Sequence, residues 1–110
     1  AYYRQQMYSE AERTVKGGLA LMPDDPELLN GLGKVFIVSG RFGDAKEVLE
    51  KAIAIRERKD YYYNLGLTML YLGEDNTAAS YLEKAGALKD KNDPKLQMLI
   101  NALRINLEGM

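Results

Sequence analysis

The sequence predicts an all-α fold, a solenoid of helix-turn-helix units closed by a C-terminal capping helix. Three observations carry that expectation. Small and apolar residues recur in columns every 33 or 34 positions, apolar residues within each unit follow helical spacing, and glycine or Asp-Pro stands where one helix should give way to the next. The columns are clearest when "EAERTVKGGLALMPDDP", "DAKEVLEKAIAIRERKD" and "TAASYLEKAGALKDKND" are aligned. Ala11, Ala45 and Ala78 then stand in one column, Val15, Leu49 and Leu82 in a second, and Gly18, Ala52 and Ala85 in a third. Upstream, "LLNGLGKVFIVSGRFGDA" aligns with "YYYNLGLTMLYLGEDNTA", so that Leu32-Gly33 matches Leu65-Gly66, Phe36 matches Met69 and Gly40 matches Gly73.

The elements follow in order within a single domain spanning residues 1–110. Residues 1–25 are expected to form a partial first unit. Counting back from Ala11 puts Tyr2 in the column of Phe36 and Met69, in the middle of a first helix. In the second unit, residues 26–58, Leu29, Leu32, Gly33 and Phe36 share one helix face. Gly40 supplies a left-handed stop, Arg41-Phe42-Gly43 the turn, and Ala45, Val48, Leu49, Ala52 and Ile53 the stripe of the partner helix. The third unit, residues 59–92, repeats the plan with Tyr62, Leu65, Gly66 and Met69 as its packing face. Tyr61 is expected near the edge, toward Asn64 and Thr68, with no role. Residues 93–110 cap the array, with Leu96, Leu99, Ile100, Leu103 and Leu107 on one stripe and Lys95, Arg104 and Glu108 off it. "DDPEL" and "NDPKL" each place Asp as N-cap and Pro in the first helical turn.

Composition narrows the chemistry. Fifteen Lys and Arg against 16 Asp and Glu leave no basic field for nucleic acid. Cysteine and histidine are both absent, which removes thiolate nucleophiles, the commonest general base and the commonest transition-metal ligand. Ser9, Ser39 and Ser80 have no histidine to activate them. "GLGKVF" lacks both the spacing and the Ser/Thr of a phosphate loop, so Gly31 and Gly33 read as helix-packing glycines. Glu47 with Lys51, and Lys46 with Glu50, are four-apart pairs on a solvated face. No enzymatic activity, cofactor or metal is expected. No stretch approaches the roughly 20 apolar residues of a membrane span, and the expected location is the cytoplasm.

With these columns, the chain resembles the tetratricopeptide repeat (TPR) family over almost its whole length. Tyr62 and Leu29 stand where the family has its bulky aromatic, Leu-Gly follows three residues on, and Pro23 takes the family's terminal proline position. Glu57 replaces that proline in the second unit, and "KDKND" lacks it in the third. The resemblance implies a concave groove lined by the first helix of each unit. Helix arithmetic assigns to it Asn30, Lys34, Ile37 and Val38, then Tyr63, Leu67, Leu70 and Tyr71 with Asn64 beside them, and Asn101 with Gln97 from the cap. Tyr3 is a further contributor.

These positions depart from the carboxylate clamp by which some TPR domains grip chaperone tails; only Asn64 matches it. The groove is instead apolar and rich in tyrosine, which suits a protein or peptide partner, above all an amphipathic helix. Asp93, Pro94, Gln97, Asn101, Arg104 and Leu107 also resemble the ending of the needle-subunit chaperone of bacterial type III secretion, which would make the chain a bacterial chaperone. A segment of a longer TPR scaffold and a self-assembling homo-oligomer are the other readings.

Overall fold

The structure, a computed structural model, describes residues 2–88 and 98–102, with side chains from residue 5 onward. Five helices run in sequence: α1 (Tyr2–Leu21), α2 (Pro26–Val38), α3 (Phe42–Ile55), α4 (Lys59–Tyr71) and α5 (Asp75–Ala87). Residues 98–102 are also helical. Each helix packs on the next in the chain, and α2 also touches α4.

The punctuation residues act as their chemistry requires. Asp25 caps α2, its Oδ1 accepting from the backbone N–H of Glu27 at 2.9 Å and of Leu28 at 3.3 Å, and Pro26 follows at the first helical position. Gly40 and Gly73 sit at φ of 78° and 81°, a backbone region closed to most side chains. Their geometry lets Arg41 N–H reach back to Phe36 O, and Glu74 N–H to Met69 O, both at 2.8 Å. These six-to-one bonds close α2 and α4. The turn between α2 and α3 is shorter than expected, because Phe42 and Gly43 already belong to α3.

The first unit differs from its expectation. No helix ends ahead of Glu10; α1 runs unbroken through 20 residues. Gln6 occupies the position of Gly40 and Gly73. A glutamine has no ready access to the left-handed region, so the helix continues where the complete units break.

Three clusters form the core. Leu32, Phe36, Ala45, Leu49, Leu65, Met69 and Ala78 join the second and third units. Tyr62, Ala79, Leu82 and Ala85 pack with Ile100 of the C-terminal segment. Leu29, Ala52 and Tyr61 seal the joint between units. Helix approach is close within each pair: a Cβ at Gly33 would lie 2.7 Å from Leu49, and one at Gly66 2.7 Å from Leu82. Gly31, by contrast, faces open space and is not a packing glycine. Leu99 and Ile100 lean on the second cluster as a capping stripe should, while Leu96, Leu103 and Leu107 lie outside the described residues.

Candidate peptide-binding surface on α2 and α4

Two adjacent first helices build this surface, and a hydrogen bond holds them in register. Asn64 Nδ2 donates to Asn30 Oδ1 at 2.9 Å, and Asn30 is buried. Burial of an amide is tolerated only with a partner, and each asparagine supplies the other's. The two therefore join neighbouring units through α2 and α4.

The remaining assigned residues fall into two depths. Ile37 and Leu70 are half-buried against the first cluster, and Tyr63 and Leu70 against the second. Leu67 is half-buried on α4. Lys34 is exposed, as are Val38 at 57% and Tyr71 at 63%. The Tyr71 ring stacks flat on Phe42, with centroids 4.6 Å apart and planes within 5°. One face of that tyrosine is thus spoken for by the neighbouring unit, and the other is open. Asn101 is exposed on the 98–102 segment. The side chains of Tyr3 and Gln97 lie outside the described residues, as do Asp93, Pro94, Arg104 and Leu107.

Tyr61 corrects the sequence reading. It is 1% exposed, packed between Leu29 and Ala52, and its hydroxyl has no hydrogen-bond partner. Loss of hydration on burial pushes its phenol pKa upward. Thr68, expected beside it at the edge, is also fully buried and donates to Asn64 O at 2.8 Å. Tyr61 faces the preceding unit. A signal for this was available: Leu28 stands 33 residues before Tyr61, and the place for a Cβ on Gly18 lies 3.2 Å from Leu28. The column is apolar in both units and marks the side on which a first helix meets the unit before it.

Tyr62 belongs to the packing face as expected, with an added polar tie. Its Oη donates to the carboxylate of Glu57, the residue in the family's proline position. That bond, with burial behind it, pushes the phenol pKa up to about 12. The Tyr62 and Tyr81 rings lie 6.2 Å apart, and the Lys84 ammonium sits 5.9 Å and 5.8 Å from their centroids.

Arginines rather than the expected four-apart pairs on α3 carry the charge network. Arg41 bonds Glu12 of α1 at 2.7 Å and Asp44 of α3 at 2.9 Å, with its guanidinium 4.5 Å from the Phe36 ring centre. Hydrogen bonds from Lys16 and Arg41 hold the Glu12 carboxyl below its usual pKa. Arg58 links Glu27 of α2 with Asp60 of α4. A shallow cleft of about 560 Å³ lies by the α1–α2 loop, lined by Met22, Pro23, Asp24, Asp25, Pro26, Glu27 and Arg56. It shares no residue with the α2/α4 surface. No set of side chains suited to hold a metal occurs among the described residues, and no helix there is long and apolar enough to cross a membrane.

A family model for the tetratricopeptide repeat matches residues 2–66, and a second matches residues 60–92. The chain belongs to the tetratricopeptide repeat family. No curated protein matches it. Among solved structures the fold is similar to the first TPR of Spaghetti (RPAP3) bound to an HSP90 peptide, at 19% identity and TM-score 0.87, covering 97% of this chain and 85% of that one. It is also similar to the type III secretion chaperone SycD of Yersinia enterocolitica in complex with a peptide of the translocator YopD. That match has 17% identity and TM-score 0.84, and covers 94% and 85% of the two chains. A third is YrrB, a TPR protein with an unusual peptide-binding site, at 25% identity and TM-score 0.82; 94% of this chain spans 54% of that one.

Proposed function

We propose that this chain is a non-catalytic interaction module that takes a peptide or an amphipathic helix of a partner protein onto the α2/α4 surface. One observation carries the reading: on two helices fixed side by side, packing leaves an apolar set unconsumed. Val38 and Tyr71 are exposed, and Ile37, Tyr63, Leu67 and Leu70 are half-buried on the same two helices. Apolar side chains placed together on a surface favour a partner that removes them from water. Tyrosine adds a hydroxyl that can bond while the ring is buried.

The solved TPR domains of RPAP3 and SycD, each holding a peptide, support the same use of the fold here. A chaperone-tail clamp is not the mechanism favoured, because Lys34 is the one cation among the assigned groove residues and the two asparagines are bonded to each other. The needle-subunit chaperone reading has less to stand on, since apart from Asn101 its residues lie outside the described part. The test is affinity capture from the native organism with the wild type and a Val38→Asp/Leu67→Asp variant. A protein retained by the first and lost by the second supports the reading. Light scattering against concentration separates it from self-assembly through the same surface.

A further inference from the structure

Asn30 and Gly31 form a pair whose chemistry the packing does not use. Gly31 stands in the second turn of α2, outside the left-handed region, and a Cβ added there would meet nothing within 4 Å. A glycine at such a place weakens the helix relative to alanine and gains no close approach. Gly33, two residues on, is the contrast, since Leu49 lies where its Cβ would be.

What Gly31 changes is the reactivity of the residue before it. Asparagine is thermolabile, and a following glycine leaves the main-chain nitrogen free of steric hindrance. Asn30 is the one asparagine of the chain that glycine follows. In such a pair the glycine nitrogen attacks Cγ of the asparagine. The new C–N bond closes a succinimide ring, the Cγ–Nδ2 bond breaks, and the amide proton leaves with the departing nitrogen as ammonia. Water then opens the ring at either carbonyl, giving aspartate or, by the other route, isoaspartate. No oxidant or metal enters the balance.

The fold restrains both reacting groups. Within α2 the Gly31 N–H is engaged with the carbonyl four residues back. The Asn30 side chain is 6% exposed, and its Oδ1 is held by Asn64 Nδ2 at 2.9 Å. Reaction therefore needs a local opening of α2, with release of the bond to α4.

We propose that Asn30 is a modification site gated by the α2/α4 joint, shut in the intact array and deamidated when α2 opens. The step is one-way. Isoaspartate routes the main chain through the former side chain, which adds a methylene to α2 and disturbs the hydrogen bonds that cross position 30. A transient opening is thereby converted into a lasting break between the second and third units. The inference needs no ligand and stands apart from the proposed partner surface.

The test follows deamidation by peptide mass mapping while the 110-residue chain is incubated at mildly alkaline pH. Urea-unfolded wild type should react at Asn30 ahead of the other asparagines, and Gly31→Ala should lose that reaction. Folded wild type should react about tenfold or more slowly than the unfolded chain. Asn64→Ala should speed the folded chain's reaction about fivefold, through loss of one hydrogen bond. Asp25→Ala, which loosens the start of α2 by removing its cap, should act in the same direction. A thermal melt checks that each variant is folded at the incubation temperature. Equal rates in folded and unfolded wild type would overturn the proposal. So would a folded-chain rate that neither variant changes, or a faster reaction at another asparagine of the unfolded chain.

Discussion

The two joints of the array solve one problem in different ways. Where the first unit meets the second, the chain uses local chemistry: Pro23, the Asp25 cap and Pro26 fix the entry to α2. Where the second meets the third, α4 starts without any side-chain cap, and Glu57 stands in place of the proline. Side-chain contacts take over there, two of them reaching back across the joint: Arg58 bonds Glu27 of α2, and Tyr61 buries its whole ring against the preceding unit. Tyr62 to Glu57 and Arg58 to Asp60 add local ties within the joint itself. The difference teaches that a repeat column can change its residue type if the lost local restraint is replaced by a tertiary one.

The predictions start from what the two complete units share. Gly66→Leu places a side chain where Leu82 already lies, and should cost about 3 kcal/mol in urea denaturation, at the upper end for overpacking. An unchanged midpoint would dissolve the common interface on which the comparison depends.

Next comes the pH response of the second joint. Tyr62 has a raised folded pKa, so its neutral form is favoured by folding. Its contribution is complete below pH about 10 and is lost as pH climbs toward 12. Tyr62→Phe should flatten part of that alkaline loss, a change on the order of 2 kcal/mol by pH 12. An identical alkaline profile in the variant would remove the Glu57 tie from the account.

The first joint is tested by Asp25→Ala, which should cost about 1 kcal/mol through loss of the cap. Arg58→Ala at the second joint should cost less than that, because the arginine and its carboxylate partners lie at the solvent-exposed surface. Equal losses would mean that the joints are not built differently. Tyr61→Phe sharpens the point by its sign. Removing a buried hydroxyl that has no partner should leave stability unchanged or raise it by up to about 1 kcal/mol, read from the same denaturation curves.

Much of this was legible in the chain itself. Columns fixed by close packing, Leu-Gly against Leu49 or Leu82 and alanine at the fully buried sites, survive because no larger residue fits. Caps and left-handed glycines were equally readable, since each serves its own few residues. Contacts between units were harder. Tyr61 and Thr68 looked peripheral because a single packing stripe was assigned to α4, whereas α4 also buries Tyr61 against the unit before it. The Asn30–Asn64 bond escaped for a related reason: each amide alone reads as a groove donor, and only their juxtaposition shows that they satisfy each other. At α1 the sign was a missing residue, Gln6 in the glycine column.

The central claim, that the α2/α4 surface receives a partner, is most directly tested by titrating the captured protein's binding segment against wild type and Val38→Asp/Leu67→Asp in a calorimeter. The account predicts an affinity loss of about tenfold or more with an unchanged thermal midpoint. Equal affinity for both proteins would contradict it.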